Sequence, residues 1–458
     1  MYTLPNKLKV FALVFMVLGA IGIVAGFLSA PKTTEEVAAM MAEAHHGEGH
    51  AAQTHDMDGH ATGHNAQEHG SEMHASAEHD QEATGHEAAG HEASHAEQDP
   101  HQEHLEHVMH QMQNRPWSAL YIASFFFFMI ALGALAFYAI QYAAQAGWSP
   151  ILFRVMEGVT GYLPVASIGI LVLLMASAFG LNHIFHWMDP ELVNPESAHY
   201  DKIIAGKSGY LNVPFFLVRA IVFLLGWNAY RWVSRKNSIA DDNAEDQSFF
   251  KKTFKLSAGF LVFFIVTESI MSWDWIMSFD PHWFSTLFGW YVFAGMMVCA
   301  ITVIALVTIY LKSQGYLEEV NDSHIHDLAK FMFAFSIFWT YLWFSQFMLI
   351  WYANIPEEVT YFVTRIEDYK LPFFGMIAMN FVFPLLLLMN SDYKRVNWFV
   401  VMAGIVILAG HYLDVFNMVM PATVGESWTI GVPEIGALMF FFGLFVYVVF
   451  TTLTKAPL

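Results

Sequence analysis

Apolar residues in this chain come in long unbroken blocks, without the alternation of strands or the single stripe of an amphipathic helix. Ten such blocks stand out, at about 8–29, 116–142, 162–186, 211–233, 256–278, 283–311, 328–352, 371–390, 396–420 and 432–454. A helix needs roughly 20 apolar residues to cross a hydrocarbon core about 30 Å thick, so each block is a candidate span. In lipid a helix satisfies its own backbone, and the period-two pattern of a barrel is missing. The pattern therefore predicts an all-α polytopic membrane protein with ten transmembrane helices. The composition agrees: 56% of the 458 residues are hydrophobic, 16% are aromatic, and the mean hydropathy is +0.41.

Basic residues predict the orientation. With a cytoplasmic N-terminus, fourteen of the 21 lysines and arginines fall in cytoplasmic segments, among them Lys7, Lys9, Arg154, Arg231, Arg235, Lys236, Lys251, Lys252, Lys312, Lys330, Lys394 and Arg395. Six fall outside (Lys32, Arg115, Lys202, Lys207, Arg365, Lys370), and Arg219 lies within a span. Both termini are expected inside. Residues 1–30 read as a retained anchor, because Pro31 directly follows "LSA" and would hinder signal cleavage.

Residues 31–115 differ from the rest. They hold sixteen of the 23 histidines, many five apart, in a background of Ala, Glu, Gln and Gly with too little apolar matter for a core. The segment reads as a solvated, disordered or loosely helical outer loop, with zinc or copper binding as its sharper alternative. The formal charge of −20, concentrated here and in other outer loops, argues against nucleic acid. Cys299 is the single cysteine, which excludes a disulfide, a CxxCH haem site and an iron–sulfur ligand set within the chain.

Polar residues inside the spans carry the functional signal. His183 and His186 end the third predicted span, Arg219 sits two turns into the fourth, and Glu268 and Asp274 lie in the fifth. Gln346 is in the outer third of the seventh, and His411 and Asp414 in the outer third of the ninth. All fall in the outer half of the membrane, where an ionised group costs at least ~2.5 kcal/mol unless it faces a bundle interior or a substrate path. Arg219 with Glu268 is one candidate buried pair, with a purely structural role as its bland alternative. Glu268 and Asp274 stand ~120° apart on a helix and need not share a cavity. Asp280 and Pro281 read as a turn.

Two short echoes suggest an internal repeat: Asn182 to Trp187 against Gln346 to Trp351, and Asp274 to Pro281 against Asp414 to Pro421. They predict two four-helix bundles, residues 116–278 and 283–420, flanked by single helices at 1–30 and 432–458.

The stretches "SWDWIMSFDPHWFSTLFGWY" (Ser272 to Tyr291), "FSQFMLIWYANIPEE" (Phe344 to Glu358) and "HYLDVFNMVMP" (His411 to Pro421) resemble the NrfD/PsrC-like membrane subunits of bacterial alternative complex III, most closely the short ActF-type branch. The resemblance covers residues 1–35 and 115–458. It implies the bacterial inner membrane and a hetero-oligomeric quinol:cytochrome c oxidoreductase in the respiratory chain. Menaquinol or ubiquinol would be the substrate, and no cofactor would be bound by this chain itself. The implied partners are a sister NrfD-like subunit (ActC), an iron–sulfur subunit, multihaem cytochrome c subunits and a terminal oxidase. In that setting His183, His186, Arg219, Glu268, Asp274, Gln346, His411 and Asp414 would form a quinone pocket or proton path. Two other readings stay open. One is a structural or proton-conducting subunit without a quinone site. The other is a metal-cation transporter with a His-rich loop.

Overall fold

The computed structural model describes residues 2–40 and 100–457. These fall into two units, residues 1–30 with 110–458 and residues 31–109. In the second unit Thr33 Oγ1 accepts a hydrogen bond from Glu36 N, and Glu36 Oε2 accepts one from Lys32 N. Most of the His-rich segment, residues 41–99, lies outside the described residues.

Among the described residues there is no strand, and ten helices are long and apolar enough to cross a membrane. The chain is an all-α multi-pass membrane protein. The helices are α1 (Asn6–Leu28), α2 (Pro100–Ala143), α3 (Phe153–Thr160) continuing into α4 (Leu163–Ala178), α5 (Val213–Asp241) and α6 (Ser248–Trp275). They continue with α7 (Phe288–Ser313), α8 (Asp322–Ala353), the short α9 (Pro356–Glu367), α10 (Lys370–Leu388), α11 (Asn397–Thr423) and α12 (Val432–Leu453).

Local chemistry sets their ends. Asn212 caps α5 by accepting from Phe215 N, with Pro214 in the first turn, and Asn321 with His324 forms a capping box on α8. Asn354 stops α8 in the left-handed region at φ 50°. Two sequence expectations need correction. Pro116 does not begin the second span but lies inside α2, so residues 100–115 of the expected loop are helical. The third span stops at Ala178, and Gly180 at φ +70° turns the chain away. "NHIFHW" therefore lies in irregular chain and a 3-10 turn at His186–Met188, and His183 and His186 are not in a transmembrane helix.

Prolines inside helices break the regular ladder of backbone hydrogen bonds, as at Pro384 and Pro421. Pro384 removes a donor and crowds the carbonyl one turn back, and the chain widens into a π turn over Ala378–Val382. Pro421 likewise leaves the Asn417 carbonyl without a helical donor.

Within the larger unit the apolar stretches of α2 and α7 are buried almost throughout, as core helices must be. Around them α5 packs on α6, α8 on α7, and α10 on α11, while α6 and α11 also touch α7. Helix α1 lies along α12. A side chain at Gly19 would meet the Phe440 backbone at 2.3 Å, so only glycine permits that approach.

Candidate functional site

The buried polar residues gather into two centres. In the first, Arg219 projects from the second turn of α5 toward Asp274 in the last turn of α6. Its Nε donates to Asp274 Oδ2 at 2.6 Å and its Nη2 to Oδ1 at 3.1 Å, a bidentate pair with both partners buried. The guanidinium lies over the rings of Tyr210 (4.0 Å) and Phe215 (4.2 Å) and donates from Nη1 to the Tyr210 carbonyl at 3.1 Å. Burial, with Asp274 close by, pushes the Tyr210 phenol up, so it stays protonated at neutral pH.

The sequence suggested Glu268 as the partner of Arg219; the structure pairs Arg219 with Asp274 instead. Six residues separate the two acids, about 9 Å along the helix, and they point to different faces. Glu268 is buried and accepts from Ser272 Oγ at 3.1 Å.

In the second centre Asp414, on α11, accepts from the Tyr291 hydroxyl of α7 and from Trp339 Nε1 of α8 at 2.9 Å. His411 Nδ1, one turn away, stands 3.4 Å from Asp414 Oδ2, without hydrogen-bond geometry. Arg365 of α9 completes the wall. Its Nε donates to the Asn417 carbonyl at 3.0 Å, the acceptor that Pro421 releases, and its guanidinium lies 3.4 Å from the centre of the Tyr361 ring. Asp414, Tyr291, Gln346, Tyr361, Arg365 and Asn417 enclose a cavity of about 10 Å³. That is room for about one water.

The centres are connected. Trp283, in the loop after α6, stacks on Tyr361 with ring centroids 3.9 Å apart and planes at 13°. The same loop borders a cleft of about 370 Å³ lined by Tyr210, Trp273, Met277, Ser278, Asp280, Trp283 and Phe284. Two contacts tie down its rim: Lys207 Nζ donates to the Pro281 carbonyl, and His282 Nε2 lies 2.6 Å from Asp201 Oδ2. The Ile204 amide, more than His282, holds the Asp201 carboxyl below the usual carboxylate range.

Of the residues singled out from sequence, Arg219 and Asp274 come together, as do Gln346, His411 and Asp414. Glu268 lies about one and two-thirds turns from Asp274 along α6. His183 is elsewhere: its ring meets His110 edge-on at 5.4 Å and its amide donates to Asn114 Oδ1. His186 is exposed and opens the 3-10 turn that carries Trp187 to Ser278.

Sequence reasoning missed Tyr291, Trp339, Tyr361 and Arg365, all in or beside the quoted motifs. It also missed Glu157 at the opposite end of the bundle. There Glu157 is buried against Arg154 (2.8 Å), the Tyr138 hydroxyl (3.1 Å) and Arg235 (3.7 Å), while Arg154 also pairs with Asp242. The signal was an acid three residues after an arginine in an apolar stretch, hidden because the third span was started at residue 162. Among the described residues no group of three or more His, Cys, Asp or Glu side chains could hold a metal ion. No family model matches the chain, and no curated protein matches it.

Proposed function

We propose that the chain is an integral membrane subunit of a quinol:electron-acceptor oxidoreductase complex, of the ActF type in alternative complex III, supplying a quinol pocket and a proton path. The observation that carries this reading is the double role of Tyr210: one face supports the Arg219 and Asp274 pair, and the residue also lines the 370 Å³ cleft. A volume of that size suits a single ring headgroup.

Oxidising a quinol to a quinone releases two protons and two electrons. The electrons pass to metal centres on partner subunits, and each hydroxyl proton needs an acceptor. Asp274, held by Arg219, and Glu268, bonded to a serine, are carboxylates in two different environments. Such a pair can differ widely in proton affinity, which a relay requires. Trp283 stacks on Tyr361, and Tyr361 borders the water-sized cavity at Asp414.

A second reading, proton conduction without a quinone site, is favoured by that same small cavity, which holds a water but no ring. Purification in mild detergent with haem staining tests the complex. The reading predicts co-purification of haem-bearing and cluster-bearing partners, and a stable lone subunit contradicts it. Added quinol separates the two readings, because only the first predicts that Tyr210→Ala raises KM for quinol.

A further inference from the structure

At the opposite end of the bundle, where α8 and α11 begin, the loop between α10 and α11 carries Lys394 and Arg395. Lys394 is only 8% exposed, with its ammonium 5.4 Å from the centre of the Phe333 ring. Among the described residues it has neither a carboxylate at ion-pair distance nor a hydrogen-bond acceptor. Its stem is covered while its ammonium has no counter-charge, and desolvation together with nearby Lys330 holds its pKa below the usual lysine range.

The surroundings add positive charge. Lys330 is shared with Asp327 at 2.6 Å, and Lys330, Lys394 and Arg395 all lie within Coulombic reach of His326. His326 Nε2, 3.2 Å from Ser391 Oγ, ties the second turn of α8 to this loop. Helix α11 starts here at Asn397, and no side chain caps its first amides, so the positive end of its dipole faces the same corner. The loop's own acid, Asp392, is exposed, and Asp322 is paired with Lys312. A lysine ammonium without a counter-charge, beside two more cations and an open helix start, suits an anion.

The neighbouring surface identifies the anion. Leu386, Met389 and Trp398 are each about two-thirds exposed, and Tyr393 is partly so. Apolar and aromatic side chains beside basic ones are what the lipid–water boundary selects. We propose that Lys394, Lys330 and Arg395, with the start of α11, hold the phosphate of an anionic phospholipid whose acyl chains run along Leu386, Met389 and Trp398.

The test uses the full-length protein in the complex in which it is isolated. Short-chain phosphatidylglycerol, phosphatidylcholine of equal chain length and inorganic phosphate are titrated separately, with bound ligand counted by native mass spectrometry. Phosphatidylglycerol is expected to bind about tenfold more tightly than phosphatidylcholine and to resist about a tenfold excess of phosphate. Arg395→Gln should weaken phosphatidylglycerol severalfold and Lys394→Met about tenfold or more, with phosphatidylcholine unaffected by either. Arg395 is exposed, so its variant reports even if Lys394→Met fails to fold. Equal binding of the two lipids, displacement by equimolar phosphate, or Arg395→Gln binding like the wild type would overturn the proposal.

Discussion

Arg219 grips Asp274 through two parallel hydrogen bonds, while Glu268, on the same helix as Asp274, is bonded to Ser272. One acid has a cation and the other a hydroxyl. Removing one member of a buried pair strands the other, at a cost of about 3–5 kcal/mol, whereas replacing both with apolar residues is often close to neutral. Arg219→Met is therefore expected to lower the unfolding temperature more than the double variant with Asp274→Leu. Thermal unfolding in detergent checks this, and additive losses would count against a coupled pair.

Glu268→Gln tests the other acid. The amide keeps a partner for Ser272 and introduces no charge, so stability should change by less than about 1 kcal/mol while the titratable group is lost. Intact assembly with a lower proton yield per electron is the expected result. An unaltered yield in an intact complex would remove Glu268 from the path.

The fold was legible because lipid imposes a crude rule: long apolar blocks, and helices wherever they occur. The carboxylates Asp274 and Asp414 stood out for the same reason, as charges where charge is expensive. What could not be read was pairing. Whether Arg219 meets Glu268 or Asp274 depends on the rotation of α5 against α6, and spans of nearly uniform hydropathy carry little rotational signal. Arg365 counted only as one of the outer charges because it follows α8 in a segment of ordinary composition. Its role arises only when α9 folds back and Pro421 leaves the Asn417 carbonyl for it. His183 and His186 were placed at the end of a span because the apolar run continues past Gly180, and only the backbone turn there shows that the helix has ended.

The link from Pro421 to Arg365 makes its own prediction. Pro421→Ala restores an amide that competes for the Asn417 carbonyl, and Arg365 loses a hydrogen bond worth about 1–2 kcal/mol. Hydrogen exchange over Pro356–Glu367 should then rise by about five- to thirtyfold, with α7 unchanged. Equal exchange in both proteins would show that α9 is held by other contacts.

The rim of the cleft should respond to acid. The folded-state pKa of Asp201 lies below its ordinary 3.8, so its contribution to stability is present above that value and is lost as pH falls through the lower folded value. Asp201→Asn should loosen the loops around His282 and Lys207 at pH 7 and make progressively less difference as pH falls below about 4. Limited proteolysis at the two pH values is the measurement, and an effect that grows with acidity would contradict it.

Quinol-dependent electron transfer and coupled proton release, measured together in the purified complex carrying Asp414→Asn, bear most directly on the proposed function. Asparagine's carbonyl oxygen still accepts from Trp339 Nε1 and its amide donates to the Tyr291 hydroxyl, but it cannot take up a proton, so the fold should hold while chemistry suffers. The expected result is an intact complex with turnover reduced by about a hundredfold or more, the usual cost of losing a proton-transfer group. A complex that assembles with wild-type turnover and proton yield would contradict a role for Asp414 in moving protons.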